Sequence, residues 1–172
     1  MSYPVLISKD EIQKRVKELG EQISKDFAGE ELIVIGVLKG SFIYCADLIR
    51  ELDLPVHLEF MSVSSYEGTE STGNLRVNLD INVDVSNKNV LLVEDIVDTG
   101  LTISSLVEMF KKKSPKSLKI TSLLYKPARQ EHKVDIDYLA FEIEDHFVIG
   151  YGLDFNGKFR ELPYVGIYNG EV

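Results

Sequence analysis

The sequence predicts an α/β fold with a mainly parallel central sheet flanked by helices. Three observations carry this expectation. The runs Leu32–Leu38 and 90–93 are apolar without alternation, as expected of strands buried on both faces. Each run breaks into a short polar, Gly-containing turn and then into a helix-periodic segment. Strand and helix patterns alternate along the chain, the signature of parallel strands joined by helical crossovers.

Each element has its own local signal. Ser8 and Glu11 form an S-x-x-E capping box. Ile12, Val16, Leu19, Ile23 and Phe27 then recur every three or four residues, one face of an amphipathic helix that Gly29 ends. Lys39-Gly40 breaks the first buried strand. Ser41 is placed to cap a helix reaching about Leu52, with Phe42, Cys45, Ala46 and Ile49 facing inward. Pro55 precedes a strand over 56–65. Residues 66–74, YEGTESTGN, are polar and aperiodic with two glycines, and read as a mobile loop. A weak strand over 77–81 and a turn at Asn87-Lys88 lead to the strand at 90–93. Ile103, Leu106, Val107 and Phe110 mark the next helix, and Lys111, Lys112 and Lys113 make a solvated, dipole-compatible end. Further strands are expected at 118–125, 138–143, 147–151 and 165–168.

Composition bounds the function. The 172 residues carry 19 Lys and Arg against 28 Asp and Glu, a net charge of −9, with 44% apolar and 27% charged residues. That length and balance predict one globular domain spanning 1–172. The acidic excess argues against a general nucleic-acid binder, which needs a basic face, but leaves room for a local anion site. Cys45 is alone, so no internal disulfide forms, and its apolar surroundings make it a core residue. No basic segment followed by an apolar one opens the chain, and no apolar run approaches the roughly 20 residues of a membrane span. The expectation is a cytoplasmic protein without membrane partners. His57, His132 and His146 are scattered without metal-binding spacing.

The chemistry concentrates in residues 90–102, VLLVEDIVDTGLT. A buried strand runs into the carboxylates Glu94 and Asp95, a short loop carries Asp98, Thr99 and Gly100, and a helix begins at once. Ligands of open α/β sheets bind at the carboxyl ends of strands. The free N–H groups and dipole of a helix N-terminus suit a phosphate there. Gly100 permits close backbone approach, and Thr99 and Thr102 add hydroxyls. The acidic pair suits Mg²⁺ or a ribose diol equally. A P-loop is excluded, since no G-x-x-x-x-G-K-[ST] occurs. A receiver-type acidic pocket would leave much of the chain unused.

This segment resembles the phosphoribosyl-pyrophosphate-binding motif of the type I phosphoribosyltransferases. Three further segments resemble their 6-oxopurine branch, the hypoxanthine-guanine phosphoribosyltransferases. They are residues 37–40, the loop entry Ser65-Tyr66 with Ser71-Thr72-Gly73, and the stretch from Phe147 through Asp154 to Arg160. The match follows nearly the whole chain in order and spacing. It implies the type I phosphoribosyltransferase fold, with a small hood formed from the N-terminal segment and about 145–172.

The resemblance also implies roles. The 5′-phosphate would sit on the backbone from Asp98 through Thr99, Gly100 and Leu101 to Thr102. Leu101 stands where some relatives carry Lys. Glu94 and Asp95 would hold the ribose hydroxyls directly or through Mg²⁺, with Asp154 as a further metal ligand near the purine. Lys39, Gly40 and Arg160 would contact pyrophosphate, with a cis peptide between Leu38 and Lys39. Asp98 would be the catalytic acid/base at purine N7. Lys126 would donate to the purine O6, Phe147 would stack on the base, and the Val148 backbone would read its edge. Ser65 and Tyr66 would open a lid that excludes water. The expected partners are phosphoribosyl pyrophosphate, a 6-oxopurine base and other copies of the chain in a homodimer or homotetramer; nucleic acid is not among them. Phe42, Ile43 and Tyr44 suit either an interface or the core. Xanthine in place of guanine, or a regulator of the same fold that binds nucleic acid, are the rival readings; the charge of −9 and the presence of Asp98 and Lys126 weigh against the regulator.

Overall fold

The structure is a computed structural model that describes residues 3–65 and 75–170. Tyr66 and the rest of the expected loop at 66–74, including Ser71-Thr72-Gly73, lie outside the described residues. Strand β1 (Val5–Ile7) leads into helix α1 (Lys9–Asp26). The capping box forms: Ser8 Oγ accepts from the Glu11 N–H at 3.2 Å, and Glu11 Oε2 accepts from the Ser8 N–H at 2.8 Å. Gly29 follows the helix in the left-handed region, with φ 79°. Strand β2 (Leu32–Leu38) and helix α2 (Phe42–Arg50) come next, then β3 (Val56–Ser65), β4 (Leu75–Leu79) and β5 (Asn89–Val97). Helix α3 (Leu101–Lys111), β6 (Ser117–Tyr125), a single 3₁₀ turn (Pro127–Arg129), β7 (Tyr138–Glu142), β8 (Val148–Ile149) and β9 (Val165–Ile167) complete the order.

The main sheet has the order β4-β3-β2-β5-β6-β7. All its pairings are parallel except β3 with β4. The alternation along β2 and β5 splits their side chains between two cores. Val34, Leu91 and Val93 pack with Ile12, Val16, Leu19 and Ile23 of α1 and with Tyr44 and Leu48 of α2. Ile33, Ile35, Val90 and Leu92 pack with Ile103, Leu106 and Phe110 of α3 on the other face. Strands β1, β9 and β8 form a second, antiparallel sheet.

Three details differ from expectation. Ser41 does not cap α2 with its side chain; its Oγ donates back to the Val37 carbonyl at 2.7 Å, binding the turn to the strand. Phe42 is 41% exposed, because the inward face of this short helix is set by Tyr44, Cys45 and Leu48. Strand β5 continues through the acidic pair to Val97, because β6 keeps pairing with it as far as Val97 opposite Tyr125.

Phe110 is fully buried beneath α3, the helix whose N-terminus faces the candidate site. Phe110→Ala is expected to lower the unfolding free energy by about 3–5 kcal/mol in urea titration. A loss below about 1 kcal/mol would show that α3 is not anchored there.

Candidate active site

The chain leaves β2 for β3 on one side of it and returns to β5 on the other. The connections after β2 and β5 therefore diverge, and a crevice opens between them at the carboxyl ends of the strands. A cleft of about 240 Å³ lies there, lined by residues 37–40, Val63 and 94–103. It gathers Lys39, Gly40, Glu94, Asp95, Asp98, Thr99, Gly100, Leu101 and Thr102 from two separate stretches of sequence. The Leu38–Lys39 peptide is cis.

The acidic pair is the most unusual electrostatic feature. Glu94 is buried, and its Oε1 accepts no hydrogen bond from the described residues. Burial, together with the neighbouring Asp95 charge, pushes its carboxyl well above the usual range. Burial also raises Asp95, opposed by the Ile96 N–H, which donates to Oδ1 at 2.7 Å, and by the Arg160 charge. A buried carboxylate oxygen without a donor fits a hard cation or a ligand hydroxyl. No three His, Cys, Asp or Glu side chains converge on one point among the described residues. Such a cage is unnecessary for Mg²⁺, which one or two carboxylates and substrate phosphates suffice to hold. Asp154 is engaged elsewhere: Oδ2 accepts from the Gly157 N–H at 2.7 Å, and Oδ1 lies 3.2 Å from Arg160 Nη2.

Gly40 and Gly152 let three chain segments touch. A Cβ on Gly40 would lie 1.7 Å from Asp95 Oδ2, and a Cβ on Gly152 would lie 2.2 Å from the Gly40 carbonyl oxygen. Arg160 closes this stack by donating from Nη1 to the Gly152 carbonyl at 2.5 Å. Arg160 and Asp154 are not among the residues that line the cleft itself.

The loop before α3 is fastened to the segment at 131–132. Gly100, at the N-cap of α3, has φ 87°, and a Cβ there would meet the His132 carbonyl oxygen at 2.3 Å. The Thr99 carbonyl accepts from both the Glu131 and His132 N–H groups at 2.9 Å. The Leu101 N–H donates to Thr99 Oγ1 at 3.3 Å, so this hydroxyl already shapes the first turn.

Lys126 is buried at the end of β6, and its main-chain N–H donates to the Val97 carbonyl at 3.0 Å. Its Nζ donates to Asp145 Oδ1 at 3.4 Å. Asp98 Oδ1 lies 2.8 Å from Arg129 Nε, an ion pair whose geometry is not that of a hydrogen bond. Phe147 is 53% exposed and meets Phe155 and Tyr168 edge-on, at centroid distances of 5.8 and 5.9 Å. Val148 is buried in β8. Lys126, Phe147, Val148 and Ser65 do not line the cleft itself. Sequence reasoning missed Arg129 and Asp145. Both are charged residues in polar connections, and nothing local distinguishes them from solvated charge.

The fold and this cleft define a class: an α/β protein with an acidic crevice beside a helix N-terminus at the switch point of its sheet. The profile of the phosphoribosyl transferase domain matches residues 8–156. The chain is 44% identical over 169 residues to the hypoxanthine-guanine phosphoribosyltransferase of Streptococcus pneumoniae (strain ATCC BAA-255 / R6), covering 98% of this chain and 94% of that one. It is 44% identical over 164 residues to the enzyme of the same name from Bacillus subtilis (strain 168), covering 95% and 91%. A crystal structure of a hypoxanthine-guanine phosphoribosyltransferase from Bacillus anthracis, with a HEPES molecule in its active site, superposes with a TM-score of 0.92 at 46% identity, covering 95% of this chain and 97% of that one. The chain belongs to the phosphoribosyltransferase family, in its hypoxanthine-guanine branch.

Because a methyl group on Gly40 would collide with the Asp95 carboxylate, Gly40→Ala is expected to displace that carboxylate from the cleft. The KM for phosphoribosyl pyrophosphate should rise at least about tenfold, the scale of one lost charge-assisted contact. Steady-state kinetics that leave this KM unchanged would remove Asp95 from the ligand site.

Proposed function

We propose that this chain transfers the 5-phosphoribosyl group from phosphoribosyl pyrophosphate to hypoxanthine or guanine, giving IMP or GMP and pyrophosphate in a purine salvage step. One observation carries the reading: a helix N-terminus suited to a phosphate and a buried acidic pair suited to a cation or a diol share one cleft, with Lys39 on its wall. The relatives named above supply the substrate class.

Asp98 through Thr102 present backbone N–H groups and hydroxyls to the 5′-phosphate. Glu94 and Asp95 orient the ribose through its hydroxyls. Glu94 and Asp95, with Asp154 nearby, would hold Mg²⁺, which when bound would supply neutralising charge for the pyrophosphate. Lys39, Gly40 and Arg160 receive the departing pyrophosphate, whose charge grows as its bond to the ribose anomeric carbon breaks. That carbon passes through an oxocarbenium-like state, as in glycosyl transfer generally. Purine N9 forms the new bond, and Asp98 accepts the proton that leaves N7. Lys126 donates to O6, a match for a 6-oxopurine carbonyl and a mismatch for the amino group of adenine. Phe147 offers an exposed ring face to the base, and the Val148 backbone reads its edge.

Water exclusion belongs to the small second sheet as a hood over the site and to a lid that begins at Ser65 and Tyr66. The exposed Phe42, beside Lys39 and Gly40, suits contact with another copy in a homodimer or homotetramer. No described helix is long and apolar enough to cross a membrane; the compartment proposed for the enzyme is the cytoplasm.

Product formation should be measured with phosphoribosyl pyrophosphate, Mg²⁺ and each of hypoxanthine, guanine, xanthine and adenine. Turnover of hypoxanthine or guanine with adenine inert is expected. No turnover with either would overturn the reading. Asp98→Asn should lower turnover by about 10²–10⁴-fold, the usual contribution of general acid/base catalysis, with phosphoribosyl pyrophosphate binding little changed by calorimetry. Undiminished turnover would take the proton-transfer role away from Asp98.

A further inference from the structure

A line of alternating charge joins the two side chains assigned to the purine. Lys126 Nζ is 3.4 Å from Asp145 Oδ1, Asp145 Oδ2 is 3.8 Å from Arg129 Nη1, and Arg129 Nε is 2.8 Å from Asp98 Oδ1. Three segments contribute: the loop after β5, the 3₁₀ turn after β6 and the loop before β8. The planar fork of a guanidinium can bridge two carboxylates at a fixed separation, which a lysine ammonium does less well.

We infer that Arg129 and Asp145 are positioning residues that set the spacing between Lys126 and Asp98, and so match the site to the O6–N7 edge of a 6-oxopurine. This inference rests on the roles proposed above for Lys126 and Asp98. The chemistry asks for such a device. O6, an acceptor, and N7–H, a donor, are neighbours on one edge of the base. A cationic donor and a carboxylate acceptor must meet them at a matching separation. Left to themselves, a free ammonium and a free carboxylate would approach each other and close the gap. Interposing a second carboxylate and a second cation gives each charge its own partner and leaves the pair apart.

Stability does not account for the line. Arg129, Asp98 and Asp145 have side-chain exposures of 47%, 41% and 49%, and although Asp98 Oδ1 itself is buried, pairs between side chains so exposed add little to folding. The backbone of the same turn is fastened independently of these side chains. Lys126 N–H binds the Val97 carbonyl at 3.0 Å, and Glu131 and His132 N–H bind the Thr99 carbonyl at 2.9 Å. Trimming the Arg129 guanidinium therefore leaves the phosphate loop supported. The effect should fall on the base and spare the phosphoribosyl donor.

The test is steady-state kinetics of Arg129→Gln, Asp145→Asn, their combination, Arg129→Lys and Lys126→Ala, with hypoxanthine and phosphoribosyl pyrophosphate varied in turn. Arg129→Gln and Asp145→Asn should each raise the hypoxanthine KM about tenfold, with the phosphoribosyl pyrophosphate KM within about twofold of the parent. The double variant should be no worse than the poorer single one, because both break the same line. Arg129→Lys should recover part of the loss. An unchanged hypoxanthine KM in both single variants would overturn the inference. So would a parallel rise in both KM values, which would mark Arg129 as a support of the phosphate loop. Lys126→Ala separates the two levels. If it raises the hypoxanthine KM while the Arg129 and Asp145 variants do not, only the spacing role fails. If it too leaves that KM unchanged, the purine assignment of Lys126 fails with it.

Discussion

The structure depends most on one constraint: two adjacent carboxylates, Glu94 and Asp95, are held at the carboxyl end of a central strand. Glu94 is buried with an unpartnered oxygen, and Asp95 sits where only a glycine at position 40 can pass. Burying charge without a partner costs free energy, and folded proteins seldom tolerate it without a functional reason. Here the apolar body of β5 fixes the position. Val90, Leu91, Leu92 and Val93 are fully buried between two cores, so the residues that follow them cannot retreat to solvent.

The surroundings follow from that constraint. Because β2 and β5 are parallel neighbours from which the chain departs in opposite directions, the Lys39-Gly40 turn and the Asp98–Thr102 loop face each other across the acidic pair. Gly152 packs against the Gly40 backbone, and Arg160 fastens that contact through the Gly152 carbonyl. The second sheet and its connections are therefore tied to the same point as the main sheet. The aromatic group of the second sheet and its connections, with Phe155 and Tyr168 stacked at 4.3 Å and Tyr3 against Phe159 at 5.1 Å, supports Phe147 from one side and leaves it half-exposed.

Much of this was legible in the sequence, and the physical reasons are specific. Leu32–Leu38 and Val56–Ser65 are recovered with their boundaries, because an unbroken apolar run and a preceding proline are strong local signals. The Ser8–Glu11 capping box is also local and appears as expected. Strand β1, three residues long, carries too little pattern to be recognised alone; it exists because β9 pairs with it. The apolar pattern ends β5 too early, since the chemistry of Glu94 and Asp95 resembles a loop while pairing with β6 keeps them in the strand. The pattern places Phe42 inside, but a helix of nine residues has few positions to define its face, and Tyr44, Cys45 and Leu48 take it. In the site, the long motif at 90–102 was readable because its residues are contiguous. Arg129 and Asp145 were not, because their meaning lies in tertiary proximity to Asp98 and Lys126.

The central claim, that Glu94 Oε1 is left without a hydrogen-bond partner among the described residues and awaits a cationic or hydroxyl-bearing ligand, predicts how stability depends on pH. A carboxyl whose folded-state pKa is raised above its unfolded value, near 4.5 for Glu94, leaves the native state binding more protons than the unfolded state. Stability then falls as pH rises above that unfolded value toward the folded pKa. The buried Tyr44, Tyr138 and Tyr151 hydroxyls and the Cys45 thiol are also pushed up, but from ordinary values of 10.0 and 9.0, so their contributions lie above this range. Glu11, Glu30 and Asp84 are lowered, and theirs lie below it. The deciding measurement is urea unfolding of the parent and Glu94→Gln in chelator, from about pH 5 to pH 8, the window left between those groups. The account predicts that the parent loses stability across this range, that Glu94→Gln loses less, and that Glu94→Gln is the more stable protein at the upper end. A parent whose stability is flat or rises with pH, together with a destabilised Glu94→Gln, would contradict it.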